Sequence, residues 1–195
     1  MLKVAIAGNI ASGKSCVESI LSSKGFEVYD TDLIAHDILA TSYQVREAFK
    51  DFDVLNYKGE ISREKLGNVV FSNPEMKKVL EDIIHPEVRN ELNKIFNLSS
   101  NEKFVFVSIP LLFEAHFEDM FDKSILIIAD DKVRLERLMA RNNLSKEDAQ
   151  LRIDSQIPQE EKVKRVDYVV NNDSSFENLK NEIDNLLIKL KNDKD

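Results

Sequence analysis

Five short apolar runs, each nearly continuous in Val, Ile, Leu and Phe, alternate along the chain with longer segments of helical periodicity. Continuous apolar runs are typical of strands that are buried on both faces of a parallel sheet. Strands that alternate with helices predict an α/β fold with crossover connections. We therefore expect a five-stranded parallel sheet flanked by helices, with strands over residues 3–7, 27–30, 104–108, 124–129 and 168–170.

Helix start and stop signals lie between these runs. Residues 14–23 predict the first helix, and Gly25 suits its C-terminal cap. Pro74 fits the first position of a later helix. Pro86 is expected to end that helix and begin another, because proline disfavours helical backbone at the residue before it. Helical spacing of apolar residues or a capping serine also predicts helices over 132–141, from 145 onward and over 175–190.

No convincing strand falls between residues 41 and 100. This stretch is far too long for a plain crossover between neighbouring strands. We therefore expect a helical insertion over 41–100, placed between the second and third strands of one domain that spans residues 1–195. The length of 195 residues fits one domain enlarged in this way.

Composition narrows the functional class. A single cysteine can form neither an internal disulfide nor a CxxC metal site, which fits a reducing compartment. The net charge of −8 argues against a general binder of nucleic acids or membrane surfaces. The apolar runs are too short for a signal peptide or a membrane span. We therefore expect a cytoplasmic protein whose partners are small molecules rather than nucleic acid or membrane. A monomer is our working expectation, which no feature of the sequence decides.

The segment from Gly8 to Ser15 matches the pattern G-x-x-x-x-G-K-[ST]. It follows the first predicted strand and precedes the first predicted helix, where converging backbone N–H groups and the helix dipole favour bound phosphates. Lys14 can reach the β- and γ-phosphates, and the Ser15 hydroxyl can bind Mg²⁺. The alternative is a chance glycine turn, which this context disfavours. Cys16 is interpreted as a small packing residue near the site, because no histidine partner lies beside it in sequence.

Two carboxylates come at the end of the second predicted strand. Asp30 and Asp32 are two residues apart, so both point to the same side of an extended chain. Ligands of open α/β sheets bind outside the carboxyl ends of the strands. One aspartate could orient a substrate hydroxyl and accept its proton late in the reaction, while the other could hold Mg²⁺ through water. The alternative is that Asp32 only caps the helix that follows.

Three arginines lie along one face of the helix predicted over 132–141. Arg134, Arg137 and Arg141 have the spacing i, i+3 and i+7. Spacing alone leaves two interpretations equal: a solvated basic face, or a lid whose planar guanidinium groups close over phosphates. Asn142 and Asn143 predict a turn directly after the helix, which suits the tip of a lid. Gln156 and Lys162 follow in a polar stretch that says little by itself.

His85 and Arg89 are four residues apart, so they can present donors to an anion from one face. An ordinary helix boundary with surface residues is an equal alternative. No second histidine or carboxylate near His85 has the spacing of a zinc site.

Taken in order along nearly the whole chain, these motifs resemble the dephospho-coenzyme A kinases. The glycine loop alone is generic, and the run Ile109-Pro110-Leu111-Leu112-Phe113-Glu114 is the most specific to the family. The matching segments are residues 8–15, 29–32, 62–67, 70–72, 85–86, 109–114, 137, 141, 152–153, 156 and 169–172.

The resemblance implies a P-loop kinase that uses ATP to phosphorylate the ribose 3′-hydroxyl of dephospho-coenzyme A, the last step of coenzyme A synthesis. It implies a nucleotide core, a coenzyme-binding insertion over 41–100 and a lid over 131–157. Asp32, Lys14 and Arg141 match catalytic residues, and Ser15 would bind Mg²⁺ with a water-mediated contribution from Asp32. Residues implied to bind ATP are Ala11, Ser12, Gly13, Lys14, Ser15, Cys16 and Arg137; those implied near the acceptor are His85, Arg89, Pro110, Leu111 and Leu112.

The chain departs from the family pattern in the loop and the lid. Asn9 and Ala11 replace two usual glycines, and Ala7 replaces a usual threonine. Ala11 is small enough for close phosphate approach, and Asn9 tolerates a left-handed turn. Asn142 replaces a usual aspartate after the lid arginine. The alternatives are a kinase for another small metabolite or a nucleoside monophosphate, and a non-catalytic nucleotide switch, for which the chain has no N-K-x-D motif.

Overall fold

The computed structural model describes residues 1–193. Its centre is a parallel sheet of five strands in the order β2-β3-β1-β4-β5. The predicted sheet is therefore confirmed, and no strand end differs from its prediction by more than one residue. The strands are β1 (Leu2–Gly8), β2 (Val28–Asp30), β3 (Phe104–Ser108), β4 (Lys123–Ile128) and β5 (Tyr168–Asn171).

Nine helices and one 3₁₀ turn, at Glu118–Met120, accompany the sheet in the described part of the chain. The predicted caps of two helices are confirmed: Gly25 has φ +86° after the first helix, and Ser145 accepts a hydrogen bond from a backbone N–H group in the first turn of its helix. Ser175 caps the last helix in the same way. The helices are α1 (Lys14–Ser23), α2 (Thr31–Thr41), α3 (Tyr43–Ala48), α4 (Arg63–Ser72), α5 (Pro74–Leu98), α6 (Asp131–Asn142), α7 (Lys146–Asp154), α8 (Gln159–Val163) and α9 (Phe176–Asn192).

The chain forms two compact units. The first, here the sheet unit, consists of Met1–Asp30 and the chain from Ser99 onward, and the second, the helical unit, is Thr31–Leu98. The core of the sheet unit lies where apolar residues of the strands meet α1 and α9. Phe26 packs edge-on against Phe104 and Phe106 at this core. The buried residues that α9 contributes are Leu179, Ile183, Leu186, Leu187 and Leu190.

The helical unit is organised around the long helix α5, which α2, α3 and α4 contact. The expectation that Pro86 ends this helix is wrong, since α5 runs from Pro74 through Pro86 to Leu98. A proline removes one N–H and disturbs one turn. Residues on both sides of it form one buried stripe at a spacing of four, and this shared packing holds the helix together across the proline. The stripe is Ile84, Val88, Leu92 and Phe96.

A polar cluster joins the start of β4 and β5 to the end of α9. The Tyr168 hydroxyl donates a hydrogen bond to the Asp193 carboxylate, which also pairs with Lys123 Nζ at 3.1 Å. Burial, together with the hydrogen bond to Asp193, raises the pKa of Tyr168 to about 12. The same hydrogen bond and the Lys123 ammonium lower the pKa of Asp193.

We therefore predict that Tyr168 ionises near pH 12 in the folded protein. Because its pKa is raised on folding, the stabilisation is complete below the ordinary tyrosine value of about 10 and is lost as pH rises through about 12. A spectrophotometric titration of tyrosinate absorbance measures this, with Tyr168→Phe identifying the step that belongs to Tyr168. Asp193→Asn should move that step to lower pH. A Tyr168 step centred at pH 10 in the unsubstituted protein would contradict the prediction.

No helix within residues 1–193 combines the length and the apolarity needed to cross a membrane.

Candidate active site

The glycine loop leaves β1 at Gly8 and enters α1 at Lys14, as predicted. Within residues 1–193, the backbone N–H groups of Ala11, Gly13, Lys14 and Ser15 have no hydrogen-bond partner, whereas the N–H groups of Ile10 and Ser12 are bonded inside the protein. Free N–H groups at a glycine turn and at a helix N-terminus are the donors that bind phosphate. The loop is therefore built to receive an anion.

The left-handed backbone in the loop lies at Ala11, with φ +62°, and at Gly13, with φ +89°. Asn9, which would tolerate such a conformation, is not among the positive-φ residues of the described chain. For a residue with a Cβ the left-handed conformation costs about 1–2 kcal/mol. The surrounding contacts must offset this cost at Ala11.

Gly13 lies against the side chain of Asn172, for which the sequence predicted no role beyond the family match over 169–172. A Cβ at Gly13 would be 1.9 Å from Asn172 Nδ2, so no larger residue fits. Asn172 follows β5 and donates from Nδ2 to the Ser12 carbonyl oxygen at 2.8 Å. Its own carbonyl oxygen accepts from Arg137 Nη2 at 3.0 Å. Asn172 and Arg137 thus hold the loop from the side of β5.

Lys14 is held at the carboxyl edge of the sheet. Its ammonium donates to Glu18 Oε1 at 2.8 Å and to the Ser108 hydroxyl, and Ser108 Oγ donates to the same Glu18 oxygen at 2.6 Å. Ser108 is the last residue of β3 and pairs in register with Asp30, the last residue of β2. Bound phosphates would compete with Glu18 for the Lys14 ammonium, since both are anions.

Asp32 lies in the first turn of α2, which begins at Thr31 directly after Asp30. The alternative that Asp32 precedes and caps the helix is therefore wrong, because the helix already includes it. Its side chain is exposed. An acidic residue in a first helical turn interacts favourably with the helix dipole, and an exposed carboxylate at this position is accessible to a substrate hydroxyl.

The three arginines of α6 have different surroundings. Arg134 is 2% exposed, donates from Nε to the Ile10 carbonyl oxygen at 3.1 Å and pairs with Asp131 at 2.7 Å. Arg137 is half-buried beside Gly13. A uniformly solvated basic face is therefore excluded. Arg141 is exposed in the last turn, and its Nε donates to Asn142 Oδ1 at 2.9 Å.

Two residues after α7 also hold the loop. Gln156 Oε1 accepts from the Ile10 N–H at 2.7 Å, and the Ile157 carbonyl oxygen accepts from Asn9 Nδ2 at 2.9 Å. Ile10 and Ala11 also pack against a small apolar cluster formed by α6 and α7, whose buried members are Leu138, Ala149 and Ile153.

The predicted turn after α6 is confirmed, with Asn143 at φ +51°.

Cys16 is exposed, so the packing interpretation is wrong.

Leu112 is fully buried and supports the core instead of lining a surface, whereas Leu111 is 46% exposed and Pro110 is half-buried. His85 and Arg89 are half-buried, one turn apart on α5, so the continuous helix places them on a shared face.

A buried ion pair connects α8 to the segment after β3. Lys162 has no exposed side-chain surface, and its Nζ lies 2.7 Å from Glu114 Oε1, although the pair lacks the alignment of a regular hydrogen bond. Glu114 is partly exposed, at 23%. Beside it, Arg165 stacks on the Phe113 ring at 4.3 Å. Lys162, which carried no signal in the sequence, is thus the main electrostatic anchor of α8.

We predict that Glu114→Met lowers the free energy of unfolding by about 3–5 kcal/mol, because it leaves the Lys162 ammonium buried without an anion. Lys162→Met should cost a comparable amount, because both Glu114 carboxylate oxygens are buried and would be left without a cation. The double variant should regain most of the lost free energy of unfolding, because neither buried charge is then present. Urea unfolding of the four proteins measures these differences, and losses of the two single variants that simply add in the double variant would contradict the assignment.

Comparison with known proteins identifies a family. The family model described as Dephospho-CoA kinase matches residues 2–178. A Dephospho-CoA kinase of Carboxydothermus hydrogenoformans is 40% identical over 193 residues, covering 96% of this chain and 94% of that protein. Among solved structures, a protein from Thermus thermophilus is 38% identical with a TM-score of 0.83, covering 97% of each chain. Dephospho-CoA kinase from Campylobacter jejuni is 34% identical with a TM-score of 0.77, covering 99% of this chain and 98% of that one. The chain belongs to the dephospho-CoA kinase family.

Proposed function

We propose that this protein transfers the γ-phosphoryl group of ATP to the ribose 3′-hydroxyl of dephospho-coenzyme A, giving coenzyme A and ADP. The observation that carries the proposal is a phosphate loop with four free N–H groups in a chain that matches the dephospho-CoA kinase model over residues 2–178. Proteins 38–40% identical to this chain bear the name Dephospho-CoA kinase.

The loop supplies the electrostatic part of the reaction. The free N–H groups of residues 11–15 and the N-terminus of α1 bind the phosphates of ATP, and Lys14 leaves Glu18 to contact the β- and γ-phosphates. Arg137, held by Asn172 beside Gly13, adds positive charge next to the same loop. These groups are in place before ATP arrives, so little reorganisation opposes binding.

Kinases that use ATP employ a divalent cation, and we propose Mg²⁺ here. The Ser15 hydroxyl is exposed in the first turn of α1, and a hydroxyl oxygen suits Mg²⁺, which keeps several waters and takes phosphate oxygens as further ligands. This donor fits an ion that arrives with the nucleotide. Within residues 1–193 there is no cluster of three or more His, Cys, Asp and Glu able to hold a metal. The ion supplies neutralisation of phosphate charge.

Asp32 and Arg141 act on the transferred group. The 3′-hydroxyl oxygen attacks the γ-phosphorus, the bond to the β-phosphate oxygen breaks, and the hydroxyl proton passes to the Asp32 carboxylate. Arg141, exposed at the end of α6, neutralises charge on the phosphoryl oxygens in the transition state. Its bond to Asn142 Oδ1 is to a neutral amide, so its positive charge remains available for phosphate.

We propose that the helical unit binds the acceptor, through His85 and Arg89 on α5, and that Pro110 and Leu111 contribute the apolar contact. The nucleotide loop and the lid, residues 131–157, belong to the sheet unit. We further propose that the protein acts in the cytoplasm as a monomer, without nucleic acid or membrane partners; the single exposed thiol suits a reducing compartment.

A coupled assay of ADP release with a panel of acceptors tests the proposal. Dephospho-coenzyme A should give turnover well above the rate without acceptor, and AMP, adenosine and shikimate should not. Without a divalent cation the same assay should show no ADP release, and addition of Mg²⁺ should restore the rate. Turnover with another acceptor but not with dephospho-coenzyme A would contradict the proposal, as would ADP release that no acceptor changes.

A further inference from the structure

The phosphate loop contains a strained residue whose neighbours are held by groups from elsewhere in the chain. Ala11 has φ +62°, a conformation that side chains disfavour. On its N-terminal side, Ile10 donates its N–H to Gln156 Oε1 at 2.7 Å and accepts from Arg134 Nε at 3.1 Å. Both backbone polar groups of Ile10 are thus fixed by side chains that lie more than a hundred residues further along the chain.

Asn9 adds a second link to the same segment. Its side chain is 4% exposed, and Nδ2 donates to the Ile157 carbonyl oxygen at 2.9 Å. Asn9 also accepts the Ser12 N–H through its backbone carbonyl at 3.0 Å, which closes the turn over Ala11. The turn that contains the strained residue is therefore tied to Gln156 and Ile157 at two successive positions.

The N–H bond to Gln156 also decides which loop donors are available. The Ile10 N–H is committed to Gln156, while the Ala11 N–H, next along the chain, has no partner within residues 1–193. If Gln156 released Ile10, the strain at Ala11 would favour other backbone conformations, and the free N–H groups would no longer be fixed in place. The fraction of protein able to bind phosphate would fall, and the apparent Kd for nucleotide would rise by the same factor.

We propose that Gln156 is a positioning residue for the ATP phosphates, acting by holding the loop with Ala11 in its left-handed conformation. Asn9 acts in the same way through Ile157. The inference rests on the proposed function only in taking ATP as the ligand of the loop. It assigns to the residues after α7 a role in nucleotide affinity, separate from the role of Arg141 in transfer.

The test is a double-variant cycle read by calorimetric titration with a non-hydrolysable ATP analogue and Mg²⁺. Gln156→Met keeps the size of the side chain but removes the acceptor, and should raise the Kd about tenfold. In an Ala11→Gly background the left-handed conformation carries no Cβ penalty, so the same substitution should raise the Kd by less than about threefold. Gln150→Met, at an exposed glutamine of α7, is the matched control and should leave the Kd unchanged.

Thermal unfolding shows whether each variant is folded, and Asn9→Ala, expected to behave as Gln156→Met, is the second probe should that variant not fold. An unchanged Kd for the folded Gln156→Met protein would overturn the proposal. So would an equal loss of affinity with and without the Ala11→Gly substitution, which would indicate general disruption. An unsubstituted protein that binds nucleotide but transfers nothing to dephospho-coenzyme A would contradict the proposed function and leave the result for Gln156 standing.

Discussion

Replacing Asp32 by asparagine should lower kcat by roughly 10²–10⁴-fold, the usual contribution of a positioned general base. The amide has nearly the same shape as the carboxylate but cannot take the proton of the acceptor hydroxyl. The groups proposed to bind the ATP phosphates are the free N–H groups of the loop, Lys14 and Arg137, so the substitution should leave the Kd for ATP unchanged. The loss should therefore fall on kcat and spare nucleotide affinity.

Asp37→Asn is the matched control for this experiment. Asp37 is on the same helix and is exposed, with a distant contact to His36 at 3.7 Å. The variant should retain the kcat of the unsubstituted protein. Steady-state kinetics with both substrates, together with nucleotide titration, separates the two effects. A kcat for Asp32→Asn equal to that of the control would remove Asp32 from the role of base.

Arg141→Met should lower kcat by about 10³-fold or more, as for arginines that neutralise charge on a transferred phosphoryl group. Arg141 is the exposed arginine of the three on α6, while Arg134 and Arg137 are occupied with the loop and with Asn172. Because Arg141 bonds to its neighbour Asn142 at the surface, its loss should leave the protein stable. Arg141→Lys should recover a small part of the rate, since a lysine lacks the planar pair of donors.

Lys146→Met removes the same charge from an exposed position at the start of α7 and is the control for Arg141. It should change kcat little. The salt dependence of kcat/KM should also be weaker for Arg141→Met than for Lys146→Met if Arg141 meets the phosphates. A rate for Arg141→Met equal to that of the control, from protein with unchanged thermal stability, would contradict the assignment.

The sheet and the loop were predictable because both rest on local pattern. Five continuous apolar runs predicted five buried parallel strands, and G-x-x-x-x-G-K-S after the first run predicted the turn into α1. The caps at Gly25 and Ser145 followed from residue type in the same way. These signals survive in the structure because local propensity and tertiary packing agree at each of them.

The remaining features depend on contacts that are distant in sequence. Proline disfavours helical backbone at the residue before it, yet α5 continues through Pro86 because the stripe from Ile84 to Phe96 packs as one buried surface. Gln156 reaches Ile10 across 146 positions and Asn172 reaches Ser12 across 160, so no local pattern predicted either contact, although both residues lie in segments that match the family. The i, i+3, i+7 spacing showed that the α6 arginines share a face, but only the fold shows that Arg134 is buried against the loop while Arg141 is exposed.

The position of the transferred phosphate tests the central claim most directly. After incubation of the protein with ATP, Mg²⁺ and dephospho-coenzyme A, mass spectrometry and phosphorus NMR of the purified product identify what has formed. The proposal predicts that the acceptor gains one phosphate, coupled to the ribose proton at the 3′ position, with one ADP per product. A phosphate at another position, or ADP formed without any phosphorylated acceptor, would contradict it.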